Sequence, residues 1–207
     1  MSNRSFNAIS ATTAAVYTAA TVRSTAVNPV QEPRYRQFVA TLIGNAAEIL
    51  LDESVIRSDY KFRNCIDSLR WALQQFSRRL IIAQCVMNDL RYESKSNNPE
   101  VSSKAQEALA YIDELNRAGL VSFKGDPNRG DVSARWIFQY VCMHAFDTKL
   151  LVLTENEALA RDCQQFAGMQ FVNRADAITV KRIANGYGKL GSFGWGDDMR
   201  TAQRANF

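Results

Sequence analysis

Apolar residues along this chain keep two rhythms: short unbroken runs, and longer stretches in which they return every three or four positions. Glu48 through Leu51 (ending at Asp52), Leu80 through Ala83, Leu120 through Phe123, Leu150 through Leu153 and Met169 through Val172 are runs of the first kind and predict five buried strands. Between them, Phe62, Cys65, Ile66, Leu69, Leu73 and Phe76 form one apolar stripe, which predicts a helix from about Asp59 to Phe76. Pro33 opens a helix over Arg34 to Gly44, where a first-turn residue has no N–H to lose. Val86 to Glu93 reads as one or two helical turns. Ser103 and Gln106 make a capping-box pattern ahead of the stripe Ala105, Ala108, Leu109, Ile112 and Leu115, with Gly119 as the stop. Further helices are predicted from Asp131, which heads Val132, Trp136, Tyr140 and Val141, from Glu157 to Phe166, and from Asp176 to Ala184. Gly125 to Gly130 is a turn-rich connection.

Strands separated by helices need crossover connections, so the expected fold is a three-layer α/β/α sandwich around a mostly parallel sheet of about five strands. Residues 1–30, rich in Ser, Thr, Ala and Asn, read as a flexible arm. Residues 31–184 form the expected domain. Residues 185–207 carry five glycines with Tyr187, Phe193 and Trp195, and read as a tail or a strap over the core.

Composition narrows the class of molecule. With 207 residues, 46% hydrophobic and 22% charged, the chain is neither collagen-like nor wholly disordered. No apolar run approaches the roughly 20 residues of a membrane-spanning helix, and the N-terminus lacks the leucine-rich centre of a secretory signal. The four cysteines are far apart with no C-x-x-C pair, as expected of reduced core thiols in a cytoplasmic protein. The single histidine, His144, ends an apolar helix, where a packed neutral ring is the plainer expectation. Charge is uneven. The first 46 residues have four basic side chains against one acidic, and residues 181–207 have five against two, so each flank carries +3 and the centre is left at −2. Basic flanks around an acidic centre suit a polyanion held at its edges, although +3 is also an ordinary charge for a solvated end.

Four acidic residues fall where an open parallel sheet binds its ligand, outside the carboxyl ends of the strands. Asp52 ends the first strand, Asp89 follows the second, Asp131 follows the third and Glu155 follows the fourth. Each alone could cap a helix or fix a turn. Carboxylates gathered from separate elements repel one another unless a cation lies between them, and the hard ions Mg²⁺ and Mn²⁺ take such oxygens. With one histidine in the chain, a Ser/His/Asp nucleophile is poorly supported, which leaves water activated by a metal.

Several segments resemble the PIN-domain ribonucleases. Ile49-Leu50-Leu51-Asp52-Glu53-Ser54 is similar to that family's opening motif, and Leu80 through Leu90 to its second, with Asp89-Leu90 where Glu-Leu is usual. Asp131 heading Val132 to Ile137 resembles the third acid and its helix, and Leu151 through Ala160 the Thr-Asn-Asp block. Asn156 stands where Asp is common, flanked by Glu155 and Glu157. The resemblance covers roughly residues 47–184. It implies a PIN-like, Rossmann-like domain that hydrolyses single-stranded or structured RNA with Mg²⁺ or Mn²⁺, using Asp52, Asp89 and Asp131 as metal ligands and Glu155 and Asn156 as weaker catalytic candidates. Thr154 would hold the strand end by hydrogen bonding. Arg57, Arg78, Arg79, Arg129 and Lys189 are possible phosphate contacts, and the tail aromatics could stack on bases or pack on the core. Two other readings stay open: a catalytically impaired relative that binds RNA or protein, for which Asn156 is the main support, and a structural or assembly protein that uses both extensions to clasp a partner or a second copy.

Overall fold

A computed structural model describes residues 32–58, 60–128, 130–169, 177–184 and 188–193. The first helix, α1 (Pro33–Asn45), begins at a proline as expected and buries Tyr35, Val39 and Ile43. Then follow β1 (Glu48–Leu51), the single-turn α2 (Glu53–Ile56), α3 (Tyr60–Gln75), β2 (Leu80–Ala83), α4 (Gln84–Glu93), α5 (Pro99–Arg117) and β3 (Val121–Lys124). The chain continues through α6 (Ser133–His144), β4 (Leu150–Leu153), α7 (Glu157–Ala167), β5 (Ile178–Ile183) and β6 (Leu190–Gly191).

The six strands form one sheet in the order β3-β2-β1-β4-β5-β6. Every neighbouring pair is parallel except β5 with β6. Side chains of a strand alternate between its two faces, and this sheet buries both. Ile49, Leu51, Leu80, Ile82, Leu151 and Leu153 face one core, which α1, α3, α4 and α5 cover. Leu50, Ile81, Leu150 and Val152 face the other, under α6 and α7. This is the three-layer α/β/α arrangement, and it explains why the strand runs are continuous rather than alternating. Burial of each such Leu or Ile contributes about 1.5–3 kcal/mol. The chain winds outward from β1 to β3 with its helices on one face, then crosses on the other face to β4. The order therefore reverses between β1 and β4, which makes the carboxyl ends of these two strands the switch point, the place where open parallel sheets bind their ligands.

Three expectations are corrected, and a fourth falls mostly outside the described residues. The helix expected over Asp176 to Ala184 is not found in its described part, residues 177–184: Ile178 to Ile183 is β5, paired parallel to β4 from Leu150↔Ile178 to Leu153↔Lys181. Ala177, Val180 and Ile183 recur every third residue and so imitate a helical stripe, but Ile178-Thr179-Val180 is β-branched and suits a pleated surface. Of the expected strand Met169–Val172, Met169 lies in a bend and 170–172 fall outside the described residues. The capping box at Ser103 is not used. The helix starts at Pro99, four residues earlier, with Asn98 Oδ1 accepting from the N–H of Glu100 at 3.0 Å. Asp131 does not head α6 either, which begins at Ser133. The arm, Arg129, Tyr187 and Trp195 fall outside the described residues.

Part of the tail is a strap. Leu190–Gly191 pairs antiparallel with β5, and Phe193 is buried in the second core. Gly188 (φ +80°) brings this segment onto α3, where a Cβ would stand 2.3 Å from the backbone of Asn64 and Cys65, so only glycine allows the approach.

Candidate functional site

Asp52 stands at the carboxyl end of β1, beside the switch point, and is 2% exposed. A carboxylate so buried needs hydrogen-bond donors for its oxygens. Three hydroxyls supply them: Ser54 Oγ and Thr154 Oγ1 donate to Oδ2 at 2.5 and 2.8 Å, and Ser133 Oγ donates to Oδ1 at 2.9 Å. Each hydroxyl also accepts a backbone N–H: Ser54 from Glu155 at 2.8 Å, Thr154 from Asn156 at 2.9 Å, and Ser133 from Glu53 at 3.4 Å. The Asp52 side chain also caps α2 through the N–H of Ser54. One carboxylate thus fastens together the loop after β1, the loop after β4 and the start of α6. Ser54 and Ser133 were not singled out in the sequence. Ser133 lies 81 residues from Asp52, and no local pattern marks it.

Asp89, exposed on α4, and half-buried Asp131, in the segment before α6, line one open cleft of about 320 Å³ together with Cys85, Asn88, Asn128 and Val132. Asn88 Nδ2 donates to the carbonyl of Pro127 at 2.5 Å and holds the far wall. Ser133, two residues beyond Asp131, is the link from this cleft to the Asp52 hub. Burial pushes the Cys85 thiol above its ordinary 9.0, and Asp89, Glu53 and Asp131 push the same way against the opposing backbone N–H of Val86. A thiol held protonated among carboxylates is a poor nucleophile.

The other candidates are dispersed. Glu155 turns toward β5: Oε1 accepts the N–H of Ile183 at 2.5 Å, and Oε2 lies 3.3 Å from Arg182. Asn156 is the N-cap of α7, its Oδ1 accepting from Ala158 and Leu159 at 3.0 and 3.2 Å. Its amide oxygen is thereby engaged by the helix, whose start asks for such an acceptor. Arg57 is braced by Glu53 and Glu93 at the same sheet edge as Asp52. Arg78 and Arg79 immediately precede β2 at the opposite, amino-terminal edge, and Arg78 donates to the carbonyl of Gly44. Lys189 lies over the ring of Tyr35 and 3.8 Å from Glu32. His144 stacks on Tyr140 at 4.1 Å.

As for a metal, no three His, Cys, Asp or Glu side chains among the described residues stand close enough to hold one ion. The cleft does offer two carboxylates beside amide oxygens, all hard donors. Mg²⁺ is commonly bound by one or two carboxylates, with water and substrate phosphate completing its shell, and Asp89 with Asp131 fits that mode.

No family model matches the chain, and no curated protein matches it. Among solved structures, it is similar to the PIN domain endonuclease Utp24 over 72% of this chain and 92% of that one, at 17% sequence identity and a TM-score of 0.47.

Proposed function

We propose that the chain is a nuclease that hydrolyses phosphodiester bonds in RNA, assisted by Mg²⁺ or Mn²⁺ held at Asp89 and Asp131. The observation that carries this reading is the shared cleft, in which two carboxylates from separate elements face solvent at the carboxyl edge of a parallel sheet. Carboxylates that line one cleft are the hard oxygen donors that Mg²⁺ and Mn²⁺ take. RNA as the substrate follows from the sequence resemblance. When bound, the ion would neutralise charge on the phosphate and lower the pKa of its water. Within the chain, Asp52 acts as a positioning residue: through Ser133 it holds the segment bearing Asp131 against β1. Arg57 stands at the same edge as a phosphate contact, and its guanidinium is already oriented by Glu53 and Glu93.

The test is cleavage of labelled RNA and single-stranded DNA with Mn²⁺, Mg²⁺ or EDTA, by wild type, Asp89→Asn and Asp131→Asn. Since loss of a group that merely supports a metal ligand costs 10–100-fold, loss of either carboxylate is expected to slow cleavage by more than about 100-fold. Calorimetric Mn²⁺ binding should weaken in the same variants while their melting temperatures stay within a few degrees of wild type. RNA bound but left uncut in every metal would overturn the nuclease and favour a binding module.

A further inference from the structure

The sheet edge beyond β4 carries a second charged surface that the cleft does not use. Two recesses, of about 230 and 380 Å³, adjoin along the groove between α1 and β5, and Phe38 and Lys181 line both. Lys149 lines the first, while Arg34 and Lys189 line the second. Glu32 is the one carboxylate among the residues lining either recess. Phe38 is 37% exposed, a large aromatic ring left on the outer face of a helix, and Lys181 Nζ sits 5.5 Å from its centre. Ser192 holds the same ammonium at 2.8 Å, and Lys189 lies 5.1 Å above the ring of Tyr35. Lys181 and Lys189 are thus held against aromatic faces.

Cations spaced along a groove and interleaved with an exposed ring are what an unpaired nucleic-acid strand requires, since its phosphates need positive charge and its bases a flat apolar face. The groove follows β5 from the level of Lys149, beside Ala177, to that of Lys189, beside Ala184. That is roughly 23 Å at the rise of a strand, enough for several nucleotides. Its Lys189 end opens at the carboxyl edge beside β6, four strand spacings, or roughly 19 Å, from β2, whose following helix bears Asp89. We infer that the α1–β5 groove is a docking track for single-stranded RNA, with Phe38 stacking on a base and Lys149, Lys181, Lys189 and Arg34 on phosphates. The inference rests on the nuclease reading and narrows it, because a strand laid along the track is fed to the cleft unpaired.

The test measures binding of a fluorescein-labelled 12-residue oligouridine by anisotropy in EDTA, over a series of KCl concentrations. The full chain is compared with Lys149→Gln/Lys181→Gln, Phe38→Ala and Phe38→Trp. The double variant is expected to bind about tenfold more weakly and to lose about 1.4 from the slope of log affinity against log salt, about 0.7 for each single-strand phosphate contact. Phe38→Ala should lose about tenfold and Phe38→Trp recover it, as a stacking contact would. Cleavage of a dinucleotide, too short to reach the track, should stay at the wild-type rate in all three variants. Wild-type affinity and salt slope in every variant would overturn the track, as would a wild type that binds no RNA. Binding that follows these variants in a protein that cuts nothing would keep the track and remove only the nuclease.

Discussion

Glu48 shows how one side chain sets a working range of pH. It begins β1, with its carboxylate 2.6 Å from Lys124 Nζ and 2.7 Å from the Tyr140 hydroxyl. Burial pushes the carboxyl up, but hydrogen bonds from Lys124 and Tyr140 outweigh it and hold Glu48 below its ordinary 4.5. Burial likewise pulls Lys124 down, yet the same partners hold it above its ordinary 10.5. A carboxylate with a lowered folded pKa stabilises the fold above its ordinary pKa and loses that contribution as pH falls through the folded value; a raised lysine loses its contribution as pH rises through its own. Both groups are about a quarter to a third exposed, so solvent screens the pair to about 1 kcal/mol. Urea denaturation of wild type and Glu48→Gln should therefore differ by about 1 kcal/mol at neutral pH and converge as the pH drops below 4.5. At this scale the place of Asp52 was legible because a strand ending in a carboxylate is a local pattern. The hydroxyls of Ser54 and Ser133 were not, because their role comes from a partner that only the folded chain brings near. Asn156 illustrates the converse: its position suggested chemistry, while its oxygen caps a helix.

At the scale of elements, ends of helices carry the clearest signals. After α3, the N–H of Arg78 reaches back to the carbonyl of Leu73 at 2.8 Å, the six-to-one bond that closes a helix when the residue before it turns left-handed. That residue is Ser77, at φ 52°. After α5 the same bond runs from Leu120 to Leu115 at 2.9 Å across Gly119, at φ 69°. Glycine removes the cost a Cβ incurs there, so Ser77→Gly should stabilise the fold by up to about 1 kcal/mol, seen as a rise of a few degrees in the calorimetric melting temperature. The stop at Gly119 could be read from sequence because glycine announces it; the matching stop at Ser77 could not. Strand β5 was missed for a related reason, since three apolar residues at intervals of three fit either element over so short a run. What decides it is β4, which presents an open edge for β5 to pair with.

For the whole molecule, the strap joins the end of the sheet to its first helix. The N–H of Leu190 donates to the Tyr35 hydroxyl at 2.8 Å, across 155 residues. This closure hangs on Gly188. Gly188→Ala would set a methyl group against the backbone of α3 at a left-handed φ and should cost about 3 kcal/mol, with faster proteolysis at the strap as the direct readout. The layered architecture was visible in the alternation of buried runs and helical stripes, because crossover connections leave few other arrangements. The order of the strands was not visible, since nothing local says that β4 returns beside β1 rather than beside β3. That return has a temporal consequence. The chain is made from its N-terminus, and β1 gains β2 early but must wait for Leu150–Leu153 on its other flank. Thr154, which completes the setting of Asp52, is synthesised 102 residues after it. Between the synthesis of β2 and that of β4 the nascent chain carries β1 as an apolar, half-paired edge, which needs shielding from its neighbours on the polysome. The hydrogen-bonded setting of Asp52 therefore closes only after the chain has grown through Thr154, so the hub is among the later parts of the sheet to form.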